Sequence, residues 1–242
     1  MQLGGSLNDV PAAVDIAEAL RTGAPRIGHR PAVTVLHAGA RYEQSGVSLA
    51  NWAAKGAHLL ELDHLVGPGS TVGLLAPPCW TSASVALATW WLGGAVSLQV
   101  DGSMDVTVGH PSSTVGQGTP PADLLVGDGV DGAPSAADPT TPPTVPAWTH
   151  QAQPLPDHPP PAQARADLPA LYTTARTWQQ RELLELAAEL GTGTAGVEAG
   201  RTDRVSALVA VALRPFVTGQ ATVVLRGVDR EAATTEKVRT WL

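Results

Sequence analysis

Residues 67 to 101 read GPGSTVGLLAPPCWTSASVALATWWLGGAVSLQVD, and the fold is decided there. No charged side chain occurs between Ser70 and Val100, so the elements of this stretch belong inside the molecule. Val72–Leu75 is a short apolar run of the kind that forms a strand covered on both faces. Pro77 and Pro78 stop that strand and open a helix that continues through Leu92. Gly93 and Gly94 end the helix, and Ala95–Val100 begins the next strand. Strand, helix and strand together make a βαβ crossover, the repeating unit of a parallel α/β sheet.

Upstream, Asp9 and Pro11 stand at a helix start, and Ala12–Leu20 continues with good helix formers until Gly23. Ala32–His37 and Arg41–Val47 alternate as two strands of a hairpin that turns at His37-Ala-Gly-Ala40. Ser48 caps a helix from Leu49 to His64. Trp52 falls on the apolar face of that helix with Leu49, Leu59 and Leu60, which makes it a core residue. Downstream, Val106–Val108 and Leu124–Val126 read as strands. From Ala133 to Ala166 ten prolines rule out helix and central strand, so the segment is an extended surface connection with Trp148 as its anchor.

Order resumes with a strand at Leu168–Tyr172. Thr177-Trp-Gln-Gln180 has the form of a capping box before a helix that ends at Leu190. A glycine-rich loop, Gly191–Gly200, leads to a helix from Asp203 to Arg214 that Pro215 ends. Ala221–Leu225 reads as a strand, and Glu231–Trp241 as a last, exposed helix. The alternation predicts a three-layer α/β/α sandwich with a largely parallel sheet. Its parts are residues 1–132, a proline-rich surface segment 133–166, and residues 167–242 continuing the same domain.

Composition narrows the partners. The 242 residues carry a formal net charge of -7 and 43% hydrophobic residues, with Lys55 and Lys237 the only lysines. A net negative chain is unsuited to nucleic acid or to an anionic membrane. Pro77, Pro78, Gly93 and Gly94 divide the uncharged stretch into pieces shorter than the roughly 20 residues of a membrane span. The N-terminal MQLGGSLNDV lacks the basic and apolar regions of a signal peptide, so a cytoplasmic location is expected. Cys79 is alone, which leaves no disulfide framework and no cysteine metal site.

Chemical motifs are sparse. Gly191-Thr-Gly-Thr-Ala-Gly196 matches GxGxxG, but a helix precedes it, none follows directly, and no acidic residue stands roughly 20 positions on. It reads as a loop. Neither lysine follows a glycine-rich phosphate loop, the seven histidines show no metal-binding spacing, and no GxSxG elbow exists. Cys79, at a helix start, could be an activated thiolate, but its apolar surroundings favour an inert buried thiol.

The order of pieces RPAVTVLHAG, GVSLANWAAKGAHLL and VGPGSTVGLLAPPCWTSASVALATWWLGGAVSL resembles the N-terminal region of AMP-forming acyl-CoA synthetases and related adenylation enzymes. DLPALYT (Asp167–Thr173) is similar to the strand before that family's phosphate loop, and RPFVTGQATVVL (Arg214–Leu225) to its later helix-to-strand segment. The likeness extends to an actinobacterial family distantly related to these synthetases, which shares the proline-rich HQAQPLPDHPPP (His150–Pro161). The family's phosphate loop is rich in Ser, Thr and Gly and ends in Pro-Lys. Here Tyr172-Thr-Thr-Ala-Arg-Thr177 runs straight into the next helix without glycine or lysine.

By this resemblance Thr173, Thr174 and Thr177 are the hydroxyl contacts left for a nucleotide, and Arg176 is the counter-charge. The family's adenine-binding segment, magnesium-binding acid and catalytic lysine would lie past Trp241. The resemblance therefore implies no catalytic residue, no metal site and no identified cofactor. It implies a non-catalytic relative with a binding or interaction role, whose uncovered apolar surface takes a homodimer or a protein partner. The alternatives are a reduced AMP-dependent ligase completed by a partner chain, and a simple nucleotide or acyl-CoA binder.

Overall fold

The computed structural model describes residues 13–99, 103–111, 121–127, 131–134 and 144–242. The proposed helix start at Asp9 and Pro11 lies outside them. The first described helix, α1 (Ile16–Ile27), is capped by Asp15, whose carboxylate accepts from the Glu18 amide at 2.8 Å. Gly23 does not end it. A Cβ there would sit 2.4 Å from the Phe216 carbonyl oxygen, so this glycine lets α1 lie directly on backbone.

Strands β1 (Pro31–His37) and β2 (Ala40–Ser45) form the expected hairpin. Ala38 and Gly39 both have positive φ, 49° and 77°, the geometry of a two-residue turn that matches strand twist. The cap of α2 (Gly46–His64) is Ser45 instead of Ser48; the Ser45 hydroxyl accepts from the Ser48 amide at 3.1 Å. β3 (Thr71–Leu75), α3 (Trp80–Trp91) and β4 (Ala95–Ser97) follow as the crossover, with β3 and β4 parallel neighbours. β5 (Val106–Gly109) and β6 (Leu124–Leu125) extend the same sheet.

Among its described residues the proline-rich segment contains one short helix, α4 (Trp148–Ala152), which the prolines on either side leave room for. Trp148 is fully buried against α2, where a Cβ on Gly56 would meet its ring at 2.3 Å. Lys55 holds the segment further on, donating to the Gln153 carbonyl and pairing with Asp157, each at 2.9 Å. The Trp91 indole donates to the Pro160 carbonyl at 2.8 Å.

The last third contains β7 (Pro169–Tyr172), β8 (Thr177–Gln179), α5 (Gln180–Glu189), β9 (Ala195–Glu198), α6 (Arg204–Ala212), α7 (Arg214–Thr218), β10 (Thr222–Arg226) and β11 (Thr240–Trp241). Several boundaries differ from the sequence reading. The capping box falls two residues later, on Gln179 and Glu182, because Thr177–Gln179 is drawn into pairing with β7. The glycine-rich loop contains β9. Pro215 opens α7, where its missing N–H costs nothing. The expected terminal helix is a 3-10 helix (Arg230–Glu236) followed by β11.

The α/β class with largely parallel strands holds, but the strands occupy two sheets instead of one. The first runs β11-β9-β10-β1-β2 and the second β6-β5-β3-β4-β7-β8; among the described residues only the edge strands β2 and β8 are antiparallel. α3 lies between them, touching β3 and β4 on one side and β1 on the other, and α6 packs on both α3 and the first sheet. Every residue of α3 is buried, which is why the helix carries no charge. The 3-10 helix covers the outer face of the first sheet, where Ala233 packs with Leu36, Val223 and Leu225.

The Gly23 contact gives a test. Alanine normally gains about 1 kcal/mol over glycine inside a helix. Here the added methyl meets the backbone of α7, and overpacking of this kind costs about 1–3 kcal/mol. Gly23→Ala therefore lowers the urea midpoint despite its better helix propensity; a raised midpoint would show that the α1–α7 contact gives way freely.

Candidate functional site

The carboxyl ends of parallel strands are where open α/β sheets present their binding groups. In this chain those ends from both sheets converge. Arg204, the first residue of α6, reaches the second sheet, donating to the Leu98 carbonyl at 2.6 Å and the Leu74 carbonyl at 3.3 Å. Burial lowers its pKa from the ordinary arginine value. Arg226 is the last residue of β10. Burial lowers the Arg226 pKa, and Cys79 acts in the opposite direction. Next to it, His37 Nδ1 lies 2.9 Å from the Arg226 carbonyl oxygen.

Cys79 is the N-cap of α3 and is buried. Its backbone amide donates to Ser82 Oγ at 2.9 Å, and its Sγ lies 2.9 Å from Thr81 Oγ1. The thiol thus belongs to the cap that starts the central helix. His58 and His64 are half-buried, and His58 Nε2 meets the His158 carbonyl oxygen at 2.9 Å. Among the described residues no group of three His, Cys, Asp or Glu side chains could hold a metal ion.

The residues assigned to nucleotide contact sit on the β7–β8 hairpin, at the carboxyl end of β7. Thr173, Thr174 and Arg176 are in its tip, and Thr177 pairs with Tyr172 as the first residue of β8. The chain does not run straight into a helix there; β8 intervenes. The turn is closed on itself. Thr173 Oγ1 donates to the Arg176 carbonyl at 2.9 Å and accepts from the amides of Ala175 and Arg176 at 3.3 and 3.1 Å. The Arg176 guanidinium lies 3.3 Å from the centre of the Trp178 ring and 3.5 Å from Glu182. Thr174 and Thr177 are exposed.

A second concavity, ≈ 490 Å³, opens at the carboxyl ends of β9 and β10. The chain leaves β9 for the inner helices and β10 for the 3-10 helix outside, so this is a switch point of the first sheet. Glu198, buried at its wall, accepts from Arg230 Nε at 2.5 Å and from Arg201 Nη1 at 3.0 Å. Arg230 also lies over the Trp241 ring. The Arg230 hydrogen bond holds the Glu198 carboxyl below its usual pKa, burial opposes it, and Arg201 adds to the lowering.

The Gly191–Gly196 motif is not a dinucleotide site. Gly191 and Gly193 have positive φ, β9 begins inside the motif, and Gly196 packs against the Trp241 ring. The buried Arg214 holds this loop by donating to the carbonyls of Gly191 and Gly193. Arg204, Arg226, Glu198 and His37 escaped the sequence reading. The one signal available was position: each is the last residue of a strand or the first of the helix after one.

No family model matches the chain. A stretch of 70 residues is 43% identical to the "TIGR03089 family protein" of Mycobacterium tuberculosis, covering 29% of this chain and 28% of that protein. Among solved structures, the chain is similar to the fatty acyl CoA synthetase of Mycobacterium tuberculosis, with TM-score 0.69 and 12% identity over 94% of this chain and 48% of that one. It is also similar to an acyl-CoA synthetase of Brucella canis, with TM-score 0.68 and 13% identity over 98% and 52%. A third is the N-terminal domain of FACL13 from Mycobacterium tuberculosis, with TM-score 0.68 and 13% identity over 95% and 62%. The chain therefore has the fold of the N-terminal region of acyl-CoA synthetases and other adenylate-forming ligases. It spans about half the length of the first two of these and less than a third of the curated relative.

The Glu198 clamp gives a pH test. A carboxyl whose pKa is lower in the folded state stabilises the fold above the unfolded value and loses that contribution as pH falls through the folded one. Glu198→Gln therefore lowers the urea midpoint at pH 7. The gap from the unsubstituted protein narrows as the pH drops below the ordinary glutamate value of 4.5. A gap constant from pH 7 to pH 3 would mean that the ion pairs contribute nothing.

Proposed function

We propose that this chain is a non-catalytic relative of the AMP-forming acyl-CoA synthetases, with a binding or protein-interaction role. The observation that carries the reading is the closed β7–β8 turn. A phosphate loop needs outward-facing amides, glycines that let backbone approach phosphate, and a mobile cation. Here the amides of Ala175 and Arg176 point at Thr173 Oγ1, and Arg176 rests on Trp178 and Glu182. Adenylation places negative charge on phosphorus-bound oxygens, and the turn offers it only the uncharged, exposed hydroxyls of Thr174 and Thr177.

The interaction role would use the apolar side chains that stand out from the surface. Leu62 and Leu65, 62% and 84% exposed, lie together at the end of α2, with Val14 the other large exposed hydrophobic among the described residues. A second copy or a protein partner would dock there. No described helix is long and apolar enough to cross a membrane. A second reading, a nucleotide or acyl-CoA binder or a ligase completed by another chain, draws on Arg204 and Arg226 at the converging strand ends.

Calorimetric titration with ATP–Mg²⁺, AMP and an acyl-CoA separates these. The expected result is no heat with ATP–Mg²⁺ for the chain or for its Thr174→Val and Arg176→Ala variants. Micromolar ATP binding that weakens with either substitution would refute the closed-turn argument and favour the ligase. Gel filtration at high concentration should give more than the monomer mass, and Leu65→Glu should return it to the monomer.

A further inference from the structure

Away from the strand ends, a cavity of ≈ 220 Å³ lies between α1, α2 and the proline-rich segment. Its walls are apolar: Leu20 and Ala24 from α1, Ala50 and Ala53 from α2, Trp91 from the end of α3 and Pro159 from the segment above. Trp91 is fixed as the floor, because its indole donates to Pro160 and its carbonyl accepts from the amides of Gln163 and Ala164. Lys55 and Asp157 fix the segment above it. An engineered apolar cavity of 150 Å³ in another protein takes up benzene, so this volume suits a six- to eight-carbon body.

Two polar side chains on the lining have no partner among the described residues, and the helix carbonyl of one of them lacks its usual donor. Pro25, inside α1, has no N–H for the Arg21 carbonyl one turn earlier, and both residues line the cavity. The Arg21 guanidinium is exposed at the mouth and makes no hydrogen bond or ion pair among the described residues. The Asn51 amide is likewise unengaged. Asp157 is the one acidic group on the lining, and Lys55 at 2.9 Å neutralises it. An apolar hollow with a few convergent polar groups is the form of a small-molecule site, and the unpaired cation fixes the sign of the ligand.

We infer that this cavity binds a small carboxylate with an aromatic or branched aliphatic body. The hydrocarbon part packs between Leu20, Ala53 and Trp91, and the carboxylate accepts from Arg21 and Asn51 at the mouth. The site is independent of the nucleotide question, because it shares no residue with the β7–β8 turn or the strand ends.

The test uses the full chain labelled with 5-fluorotryptophan, titrated with benzoate and with benzyl alcohol as its neutral counterpart. The expected result is a saturable shift of the Trp91 fluorine signal, assigned with Trp91→Phe. The dissociation constant should be on the order of 0.1–1 mM for a ligand of this size. Arg21→Gln should weaken benzoate about tenfold, and benzyl alcohol should bind the unsubstituted chain about tenfold more weakly than benzoate does. Ala50→Leu, on the half-buried rim, should abolish binding with the circular dichroism spectrum unchanged. Should that variant misfold, Arg21→Gln and the neutral analogue carry the test. Thr174→Val should leave benzoate binding as it is. No saturable shift, equal affinity for the neutral analogue, or full binding by a folded Ala50→Leu would each overturn the proposal.

Discussion

The structure depends on burying one helix between two sheets. α3 has β3 and β4 on one side and β1 and α6 on the other, and every one of its residues is buried. A charge there would cost several kcal/mol to desolvate with nothing to pair it. Its polar side chains are of a type that can satisfy themselves: Ser84 donates to the Thr81 carbonyl and Thr89 to the Val85 carbonyl, at 2.8 and 2.9 Å. Its last turn is tied to its neighbours. Trp90 donates to the Ala170 carbonyl in β7, and its own carbonyl accepts from Gln180, which also receives the Ile16 amide. One buried glutamine thus joins the ends of α1, α3 and α5, supplying partners that helix termini lack on their own.

That arrangement explains what could be read from the sequence. The uncharged run of residues 70–100 announced a buried crossover, and its prolines and glycines marked the ends within a residue or two. The hairpin before it was legible because Ala38-Gly39 sits between alternating strands. The number of sheets was not legible. A helix buried on both sides is equally hydrophobic whether it lies under one sheet or between two, and only non-local pairing, such as β1 with β10, decides. β9 was missed because its one glycine, Gly196 under Trp241, and the turn glycines Gly191 and Gly193 before it imitate a loop.

The candidate sites divide in the same way. The threonines and Arg176 could be placed together by sequence because they are adjacent in the chain. Arg204 and Arg226 could not, because they come from different elements and meet the strand ends only after the sheets close. The cavity under Pro159 depends on contacts among α1, α2, α3 and a segment that meets α2 across 98 and 100 residues of chain.

The β7–β8 turn is held closed by its own hydrogen bonds. Opening the turn toward a phosphate would break the bonds that Thr173 makes, each contributing about 1 kcal/mol. It would also lift Arg176 from Trp178, a contact that adds about 0.5–1 kcal/mol at an exposed site. A glycine-rich loop holds no such contacts in its resting state, so its amides reach a ligand without first giving up partners. The hairpin is the connection between β7 and α5, and α5 in turn receives the Trp90 carbonyl through Gln180. Rigidity in this turn is therefore useful to the central helix, and it opposes the movement that phosphate binding would require.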